Sequence, residues 1–204
     1  MANGFLDRVY APRTAAQTRS LYDDWSATYE AEVAGHGYAT PGRCADALAR
    51  FVPDQMEPVL DFGCGTGLSG LSLKLAGFAT LDGLDLSPEM LAKARAKRLY
   101  RDLQLIDDGA PLPFKPGHYA SISAIGVLGP GAAPISVLDT LLRALGRGGH
   151  LVMSLSDHAL ADNSNEARIN EWTDCGAARL LFREHGPHLQ GINLKSNVYV
   201  LEKN

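Results

Sequence analysis

The stretch that most constrains this chain is VLDFGCGTG, which occupies residues 59–67. An apolar run ends in Asp61, and glycine then occupies alternate positions, Gly63, Gly65 and Gly67. Glycine loses more backbone entropy on folding than any other residue, so a cluster of it favours a conformation or a close approach that a Cβ would block. The stretch therefore predicts a tight turn from a strand into a helix, with a ligand lying against bare main chain.

Beyond residue 57, short apolar segments alternate with longer segments of helical periodicity. The five predicted strands are Pro58–Asp61, Thr80–Asp85, Leu103–Ile106, Ala120–Val127 and His150–Leu155. The helices predicted between them are Thr66–Ala76, Pro88–Leu99 and Ile135–Leu145. This alternation predicts a doubly wound α/β fold, in which helices cover both faces of a parallel sheet. Two further strands, Ala178–Arg183 and Asn197–Leu201, are predicted to close the sheet.

The first 52 residues have a different pattern, which predicts a helical arm packed on the α/β domain of residues 53–204. Two helices are predicted in the arm, at Thr14–Ala34 and Thr40–Phe51. The glycine- and proline-rich stretch GHGYATPG separates them. Within it, Thr40-Pro41 is predicted to supply the N-cap and the first residue of the second helix.

A second acidic position follows the second predicted strand, in the stretch GLDLSPEML at residues 83–91. Asp85 ends this strand and lies 18 residues after Gly67. Ser87 is predicted to be a helix N-cap, and Pro88 the first helical residue. A carboxylate at the tip of the strand beside the glycine loop can accept hydrogen bonds from both hydroxyls of a ribose.

Two interpretations of the glycine loop compete. A dinucleotide fold needs GxGxxG, because the third glycine allows close helix packing while the helix N-terminus holds a pyrophosphate. This chain has GxGxG, with Asp61 two residues ahead of it. A negative side chain is unfavourable beside a pyrophosphate and favourable beside an ammonium group. The loop thus favours a ribose-bearing cofactor that is positive at its other end over a nicotinamide dinucleotide.

Three motifs in order, VLDFGCGTG, GLDLSPEML and DGAPLPF at residues 108–114, resemble those of class I S-adenosylmethionine-dependent methyltransferases. The segments LYDDWSATYEAE and AKARAKRLYRDLQL are similar, more narrowly, to the methyltransferase-like proteins of the Williams–Beuren syndrome region and their bacterial relatives. The resemblance runs from about Leu21 to Val152. It implies a Rossmann-like, mostly parallel seven-stranded sheet with a C-terminal antiparallel strand, and S-adenosylmethionine as cofactor.

The resemblance also implies roles for twelve cofactor-binding residues. It assigns the methionine amino group to Asp61, the ribose hydroxyls to Asp85 and the adenine amino group to Asp108. The other nine pack main chain against methionine and ribose (Gly63, Cys64, Gly65 and Gly67), flank the adenine (Leu86 and Met90), lie beside its amino group (Gly109) or line the reactive side of the cofactor (Ile125 and Gly126).

The chain departs from this family's pattern in two places. Many relatives have Phe-Asp before the fourth strand, where this chain has His118-Tyr119. We interpret that change as a local difference in hydrogen bonding. The segment after the fifth strand, DHALADNSNEARINEWTDCG, is short and polar, so the sequence defines substrate recognition only weakly.

Three aromatic residues of the arm, Tyr22, Trp25 and Tyr29, have the i, i+3 and i+7 spacing of one helical face. Such a face either packs on the domain or lies over the cavity, where aromatic rings exclude water and attract a sulfonium. Both alternatives stay open, because one ring can pack on the domain while another lies over the cavity. The three residues are predicted to bind the substrate.

The charge of the chain bears on its partners. The net charge of −4 and the pI near 5.8 give no electrostatic footprint for nucleic acid or an anionic membrane. A cluster of basic residues is interpreted as a solvated helix face: Lys93, Arg95, Lys97, Arg98 and Arg101. The predicted partner is therefore a small-molecule substrate, with no nucleic acid and no membrane.

Other sequence features concern location and chemistry. The opening MANGFLDRVY lacks the regions of a signal peptide, and three widely spaced cysteines suit a reducing cytosol, so a cytoplasmic location is expected. No histidine lies at metal-ligand spacing from a cysteine or an acid, so no metal is predicted. His36 and His158 are the two histidines placed to be tested as bases, although a structural or exposed role fits each.

Together these features predict an enzyme that transfers a methyl group from S-adenosylmethionine to a small-molecule nucleophile by in-line displacement. The sulfonium is a good leaving group, so alignment of the reactants can supply about 7–11 kcal/mol without a general base. No catalytic residue is therefore assigned. The alternative is a module that binds the cofactor without turnover and acts through a protein partner, because its binding residues would be the same.

Overall fold

The structure is a computed structural model of the chain, and it describes Val9, Ala11 and residues 14–204. The expected lack of a signal peptide concerns residues 1–10, nearly all of which lie outside the described part. Within that part, no helix combines the length and apolar character needed to cross a membrane.

Seven strands form one sheet in the order β3-β2-β1-β4-β5-β7-β6. They are β1 (Val59–Phe62), β2 (Leu81–Asp85), β3 (Asp102–Leu105), β4 (Ser121–Ala124), β5 (His150–Ser156), β6 (Ala178–Leu189) and β7 (Leu194–Lys203). Strands β1 to β5 pair in parallel, and β7 is antiparallel to both β5 and β6. The predicted α/β fold with a C-terminal antiparallel strand is confirmed. Strand order reverses at β1 and β4, which is where such sheets bind ligands.

Helices cover both faces of the sheet. Over residues 14–204 they are α1 (Ala15–Trp25), α2 (Tyr29–Gly35), α3 (Thr40–Ala49), α4 (Leu68–Leu75), α5 (Pro88–Lys97), α6 (Val137–Ala144), α7 (Asp157–Leu160) and α8 (Asn163–Asp174), with a 3₁₀ turn at Gln190–Ile192. The predicted start of α5 is confirmed, because the Ser87 hydroxyl accepts a hydrogen bond from the Met90 amide at 3.0 Å and Pro88 is the first helical residue.

The core consists of one apolar cluster on each side of the sheet. On one side α6 buries Leu138, Leu141 and Leu142, which share a helix face by their i, i+3 and i+4 spacing. On the other side α3 and α4 bury Leu48 and Leu73. The inner strands β1, β2, β4 and β5 are almost entirely buried, as expected for parallel strands covered on both faces, whereas the edge strands β3 and β6 are largely exposed.

The arm differs from the prediction in two ways. The single helix predicted over residues 14–34 is two helices, because α1 ends at Trp25 and α2 begins at Tyr29. Thr40 was predicted as the N-cap of α3, but Ala39 holds that position. The Thr40 hydroxyl is fully buried and instead bonds His188 and Ser196 at 2.8 and 2.9 Å, so a tertiary network replaces the cap.

Packing associates α3 with the sheet and sets α1 and α2 apart. Cys44 and Leu48 of α3 belong to the same cluster as β1 and β5 residues. Buried residues of α1 and α2 form a separate cluster with Leu189 and Leu194. The domain boundary placed at residue 52 stays a prediction.

The polar segment after β5 contains a helix that the sequence pattern did not predict. Asp162 caps α8 by accepting a hydrogen bond from the Ser164 amide at 2.9 Å. Only Asn165 and Ile169 are buried in this helix, so it has almost no apolar periodicity to detect. At His118-Tyr119, the Tyr119 hydroxyl donates a hydrogen bond to Asp82 at 2.9 Å. The interpretation of this departure as a local difference in hydrogen bonding stays a prediction.

Candidate active site

A cavity of about 210 Å³ lies at the carboxyl ends of β1, β2 and β4. Its position is the one expected for the ligand of a doubly wound sheet. Ten of the twelve residues predicted to bind the cofactor line it: Gly63, Cys64, Gly65, Asp85, Leu86, Met90, Asp108, Gly109, Ile125 and Gly126. The other two, Asp61 and Gly67, do not.

The glycine loop forms the floor of this cavity, which we call the cofactor cavity. Gly63, Gly65 and Gly67 all have positive φ, at 70°, 53° and 91°, so glycine is required for the shape of the turn. A Cβ added to Gly63 would overlap Val127. A Cβ added to Gly65 would meet no atom of the described residues within 4 Å, although Gly65 lines the cavity. Bare main chain therefore forms this part of the wall.

Asp85 connects the glycine loop to the start of α5. One carboxylate oxygen accepts a hydrogen bond from the Gly65 amide at 2.8 Å, and the other accepts one from the Ser87 amide at 2.9 Å. Burial raises the pKa of Asp85, and the two amides oppose that rise. The carboxylate lines the cavity with acceptor capacity remaining, so it can also bind the hydroxyls of a ribose.

The predicted contact between Asp61 and a methionine ammonium is not supported by this geometry. Asp61 is fully buried beneath the loop, and its carboxylate accepts hydrogen bonds from the hydroxyls of Ser69, Tyr100 and Ser123 at 2.6, 2.7 and 2.8 Å. Burial raises its pKa, and the three hydroxyls oppose the rise. Asp61 therefore joins β1, α4 and β4 beneath the loop instead of lining the cavity.

Gly67 and Cys64 have packing roles. A Cβ on Gly67 would lie 3.2 Å from the Tyr100 ring, so Gly67 allows close packing against that ring. Its predicted contact with the cofactor stays a prediction. Cys64 does line the cavity, but its sulfur packs against Gly83, where an added Cβ would lie 2.8 Å away. Burial raises the pKa of the Cys64 thiol, which fits the interpretation of a small residue that is not a reactive thiolate.

The far end of the cofactor cavity is apolar with acidic residues at its edge. Leu86, Met90 and Ile106 line it together with Asp108 and Gly109. A flat, uncharged adenine fits between the apolar side chains, and the Asp108 carboxylate can accept from its amino group. Bare main chain, an acid that can bind a ribose and this apolar end fit the adenosyl part of S-adenosylmethionine.

The arm is tied across the cofactor cavity by three polar contacts. Arg19 of α1 pairs with Asp107, in the loop after β3, at 2.7 Å. Ser87, at the start of α5, donates a hydrogen bond to Asp23 of α1. Glu30 of α2 pairs with Lys97 of α5. Together these contacts hold α1 and α2 over the cavity as a cover.

Loss of the two ion pairs is expected to speed cofactor release. Exposed pairs contribute about 0.2–1 kcal/mol each, so Arg19→Gln/Glu30→Gln should raise the dissociation rate of S-adenosylmethionine about two- to thirtyfold. Stopped-flow fluorescence measures this rate, and added salt should reduce the difference. Arg147→Gln/Glu57→Gln makes the same charge change at exposed positions. Equal release rates in both double variants would show that the pairs do not hold the cover.

A second cavity, of about 70 Å³, adjoins the first and is called here the acceptor cavity. Five residues line both cavities: Tyr22, Tyr29, Tyr38, Gly126 and Ala132. Tyr38 lies at the junction, because a Cβ added to Gly126 would be 2.6 Å from its hydroxyl oxygen. The described residues that line the acceptor cavity include no aspartate, glutamate, lysine or arginine.

The three predicted substrate-binding aromatics meet at this junction. Tyr22 and Tyr29 line both cavities, and Trp25 lines the acceptor cavity. Trp25 stacks on Tyr22 at 5.8 Å between ring centroids and meets Tyr29 edge-on at 4.8 Å. Trp25 is also part of the buried cluster beneath the arm. Their contact with substrate stays a prediction, and both alternatives for the aromatic face have support.

The histidine at the site is one that the sequence pattern did not indicate. Neither His36 nor His158 lines either cavity, whereas His188, near the end of β6, lines the acceptor cavity. Burial lowers the pKa of His188 to about 4; Asp157 opposes this shift, and Arg43 and His158 reinforce it. His188 is therefore neutral near pH 7. No group of three potential metal ligands occurs among the described residues.

Fold and site together define a class I α/β domain with a cavity for an adenosyl cofactor. Residues 36–198 match the family model described as a methyltransferase domain, and the chain belongs to that family. It carries an S-adenosylmethionine-dependent methyltransferase domain, so the predicted family and cofactor are confirmed.

Named relatives and a solved structure agree with this family. Human methyltransferase-like protein 27 is 36% identical over 129 residues, which are 62% of this chain and 53% of the relative. The 18S rRNA (guanine(1575)-N(7))-methyltransferase of Saccharomyces cerevisiae is 40% identical over 105 residues, 46% of this chain and 38% of the relative. The chain thus matches about half or less of these relatives' length. The chain is also similar to a chain in a solved complex between the Haloferax volcanii Trm112 methyltransferase activator and a methyltransferase. The TM-score is 0.67 at 18% identity, and the match covers 89% of this chain and 97% of that chain. At this identity the similarity shows the fold alone.

The prediction that the substrate is a small molecule and that nucleic acid is excluded is wrong. Relatives from yeast, cattle, mouse and fission yeast, 36–40% identical to this chain, are named 18S rRNA guanine-N7 methyltransferases. The net charge of −4 misled the prediction because an average over the whole chain does not report the charge of one surface.

Proposed function

We propose that the protein transfers a methyl group from S-adenosylmethionine, by in-line displacement, to a neutral ring nitrogen of a guanine base in RNA. The observation that carries this proposal is the lining of the acceptor cavity beside the cofactor cavity, which is aromatic and, among the described residues, uncharged. Bound S-adenosylmethionine supplies an electrophilic methyl group carried on a sulfonium. The residues of this chain have to align the acceptor with that group and keep water away from it.

The absence of charge in the described lining of the acceptor cavity favours an acceptor that loses no proton. An alcohol or an ammonium group has to be deprotonated when it is methylated, which calls for a base. No carboxylate lines this cavity in the described part of the chain, and burial keeps His188 neutral with a pKa of about 4. An aromatic ring nitrogen with a free lone pair, such as N7 of guanine, needs no base.

The aromatic rings of the acceptor cavity can stabilise the positively charged base that methylation of such a nitrogen produces. Methylation of a neutral ring nitrogen leaves a positive charge on the ring system. Tyr22, Trp25, Tyr29 and Tyr38 can present their faces or edges to a flat base, and aromatic faces stabilise a cation by about 0.5–2 kcal/mol each. Stacking on such rings is also how proteins commonly hold an unpaired RNA base.

The names of the relatives and one basic surface support RNA as the carrier of the base. Several relatives are named for guanine-N7 methylation of 18S rRNA. On α5 and directly after it, Lys93, Arg95 and Arg98 remain exposed. Exposed basic side chains on one helix can bind phosphates, which makes RNA affinity fall with salt.

Tritium-labelled S-adenosylmethionine and total RNA test this proposal directly. We expect label in RNA, mapped to guanine N7 by the chain cleavage that follows base opening at that methylated position. Parallel reactions contain free guanosine monophosphate, a metabolite extract and a protein extract. Label only in metabolites or proteins, or in RNA at an oxygen or an exocyclic amine, would contradict the proposal.

A further inference from the structure

His188 is held rigidly in the wall of the acceptor cavity. It is 8% exposed, and its main-chain carbonyl accepts a hydrogen bond from the Ala39 amide at 2.9 Å. The Tyr38 ring lies edge-on to the imidazole, with 5.2 Å between ring centroids. The methyl-transfer steps described above give this imidazole no part. Because its orientation is fixed, each of its two ring nitrogens has a defined hydrogen-bonding direction.

A chain of hydrogen bonds reaches one of these nitrogens. Arg43 Nη1 lies 3.2 Å from Ser196 Oγ, and Ser196 Oγ lies 2.9 Å from Thr40 Oγ1. Thr40 Oγ1 lies 2.8 Å from His188 Nδ1. Thr40 and Ser196 are fully buried, so each hydroxyl hydrogen has to find its acceptor within this chain of groups.

The Arg43 guanidinium at one end of this series of hydrogen bonds determines which group donates and which accepts at each step. Arg43 can only donate, so Ser196 accepts from it and donates its own hydrogen to Thr40. Thr40 then donates to His188 Nδ1. In the reverse direction the Ser196 hydrogen would have no acceptor in a buried place, which costs free energy. Nδ1 is therefore the acceptor, and a neutral His188 carries its proton on Nε2.

The protonated nitrogen is the one available to a ligand. No hydrogen bond from the described residues reaches Nε2, and His188 lines the acceptor cavity. Aspartate, glutamate, lysine and arginine are absent from the described lining, so none of these competes for the N–H. The His188 N–H thus faces a cavity whose described lining is mainly apolar and aromatic and also contains Ser154 and Ser156.

We infer that His188 selects the acceptor by donating its Nε2–H hydrogen bond to the carbonyl oxygen beside the reacting nitrogen of a guanine. This inference rests on the proposed function and adds a specificity residue to it. The edge of guanine that carries N7 also carries the O6 acceptor, whereas adenine has an amino donor there. A fixed N–H donor can form a hydrogen bond with O6 of guanine. With adenine, the His188 N–H would face the adenine amino group, and two donors cannot form a hydrogen bond.

Nitrogen NMR of the histidine-labelled protein, saturated with S-adenosylhomocysteine, tests the inference without catalysis. The ¹⁵N shifts of His188, assigned from their loss in His188→Asn, are expected to show the Nε2–H form at pH 7. Guanosine should shift the Nε2 signal, and adenosine at the same concentration should not. A proton on Nδ1, or a Nε2 signal unmoved by saturating guanosine, would overturn the inference.

Two amide variants separate the two faces of the imidazole. The amide of His188→Asn can still accept from Thr40 but does not reach the cavity, whereas the longer His188→Gln places an N–H near the position of Nε2. Guanosine affinity is expected to fall about tenfold in His188→Asn, the loss of one hydrogen bond to a ligand, and to stay within about threefold in His188→Gln. S-adenosylmethionine affinity should be unchanged in both.

The outcomes distinguish this inference from the proposed function. Guanosine affinity unchanged in His188→Asn would overturn the role of His188, even if RNA is methylated at guanine. Guanosine binding that depends on His188, without label in RNA, would retain the role of His188 and remove the proposed reaction. A protein that binds adenosine as tightly as guanosine would contradict the selection.

Discussion

Asp85→Ala is expected to weaken S-adenosylmethionine binding by about 1.5–3 kcal/mol, which is about 10- to 150-fold in the dissociation constant. The carboxylate lines the cofactor cavity at the end of β2, and the Gly65 and Ser87 amides fix its orientation at 2.8 and 2.9 Å. The variant therefore loses both a charged acceptor for the ribose hydroxyls and the group that holds the loop in place. Isothermal titration calorimetry measures the effect.

The matched control is Asp102→Ala, which removes an exposed acid from the neighbouring strand β3. Asp102 does not line the cofactor cavity, so its loss should leave the dissociation constant unchanged within about twofold. Equal affinity in Asp85→Ala and the wild type, with both variants folded, would contradict the placement of the ribose at β2.

The second large effect is on stability. Asp61→Ala is expected to lower the free energy of unfolding by about 2–4 kcal/mol, because it leaves the buried hydroxyls of Ser69, Tyr100 and Ser123 without their shared acceptor. Urea denaturation with an unchanged m-value measures this loss. The variant that does fold should also bind the cofactor less tightly, because the glycine loop rests on these contacts.

Asp61→Asn separates shape from charge at the same position. The amide keeps one acceptor oxygen and the volume of the side chain, so it should lose about half as much stability as alanine. If Asp61 instead contacts the methionine ammonium, both variants would lose cofactor affinity while stability stays near that of the wild type. That pattern would restore the role first implied by the family resemblance.

The sheet and the cofactor cavity could be predicted because their determinants are local in sequence. Apolar runs of strand length, the glycine spacing and the Ser87-Pro88 helix start each act within a few residues. Ten predicted residues line the cavity for this reason. Gly67 does not line the cavity, because glycine spacing reports the shape of a turn and not what packs against it.

The acceptor side could not be predicted, because its residues come together only in three dimensions. Tyr38 and His188 are 150 positions apart in the chain, and neither lies in a motif. The buried network that orients His188 draws Thr40 away from the helix-capping role that its position next to Pro41 predicted. Helix α8 could not be predicted from apolar periodicity, because only Asn165 and Ile169 are buried in it.

A crystal structure of the protein with S-adenosylhomocysteine would show whether the cofactor cavity binds an adenosyl compound, since this compound cannot react. We expect the ribose hydroxyls within hydrogen-bonding distance of Asp85, the adenine between Leu86 and Ile106, and the sulfur toward Gly126 at the junction with the acceptor cavity. A cavity left empty at saturating concentration, or filled by the compound in the opposite direction, would contradict this expectation.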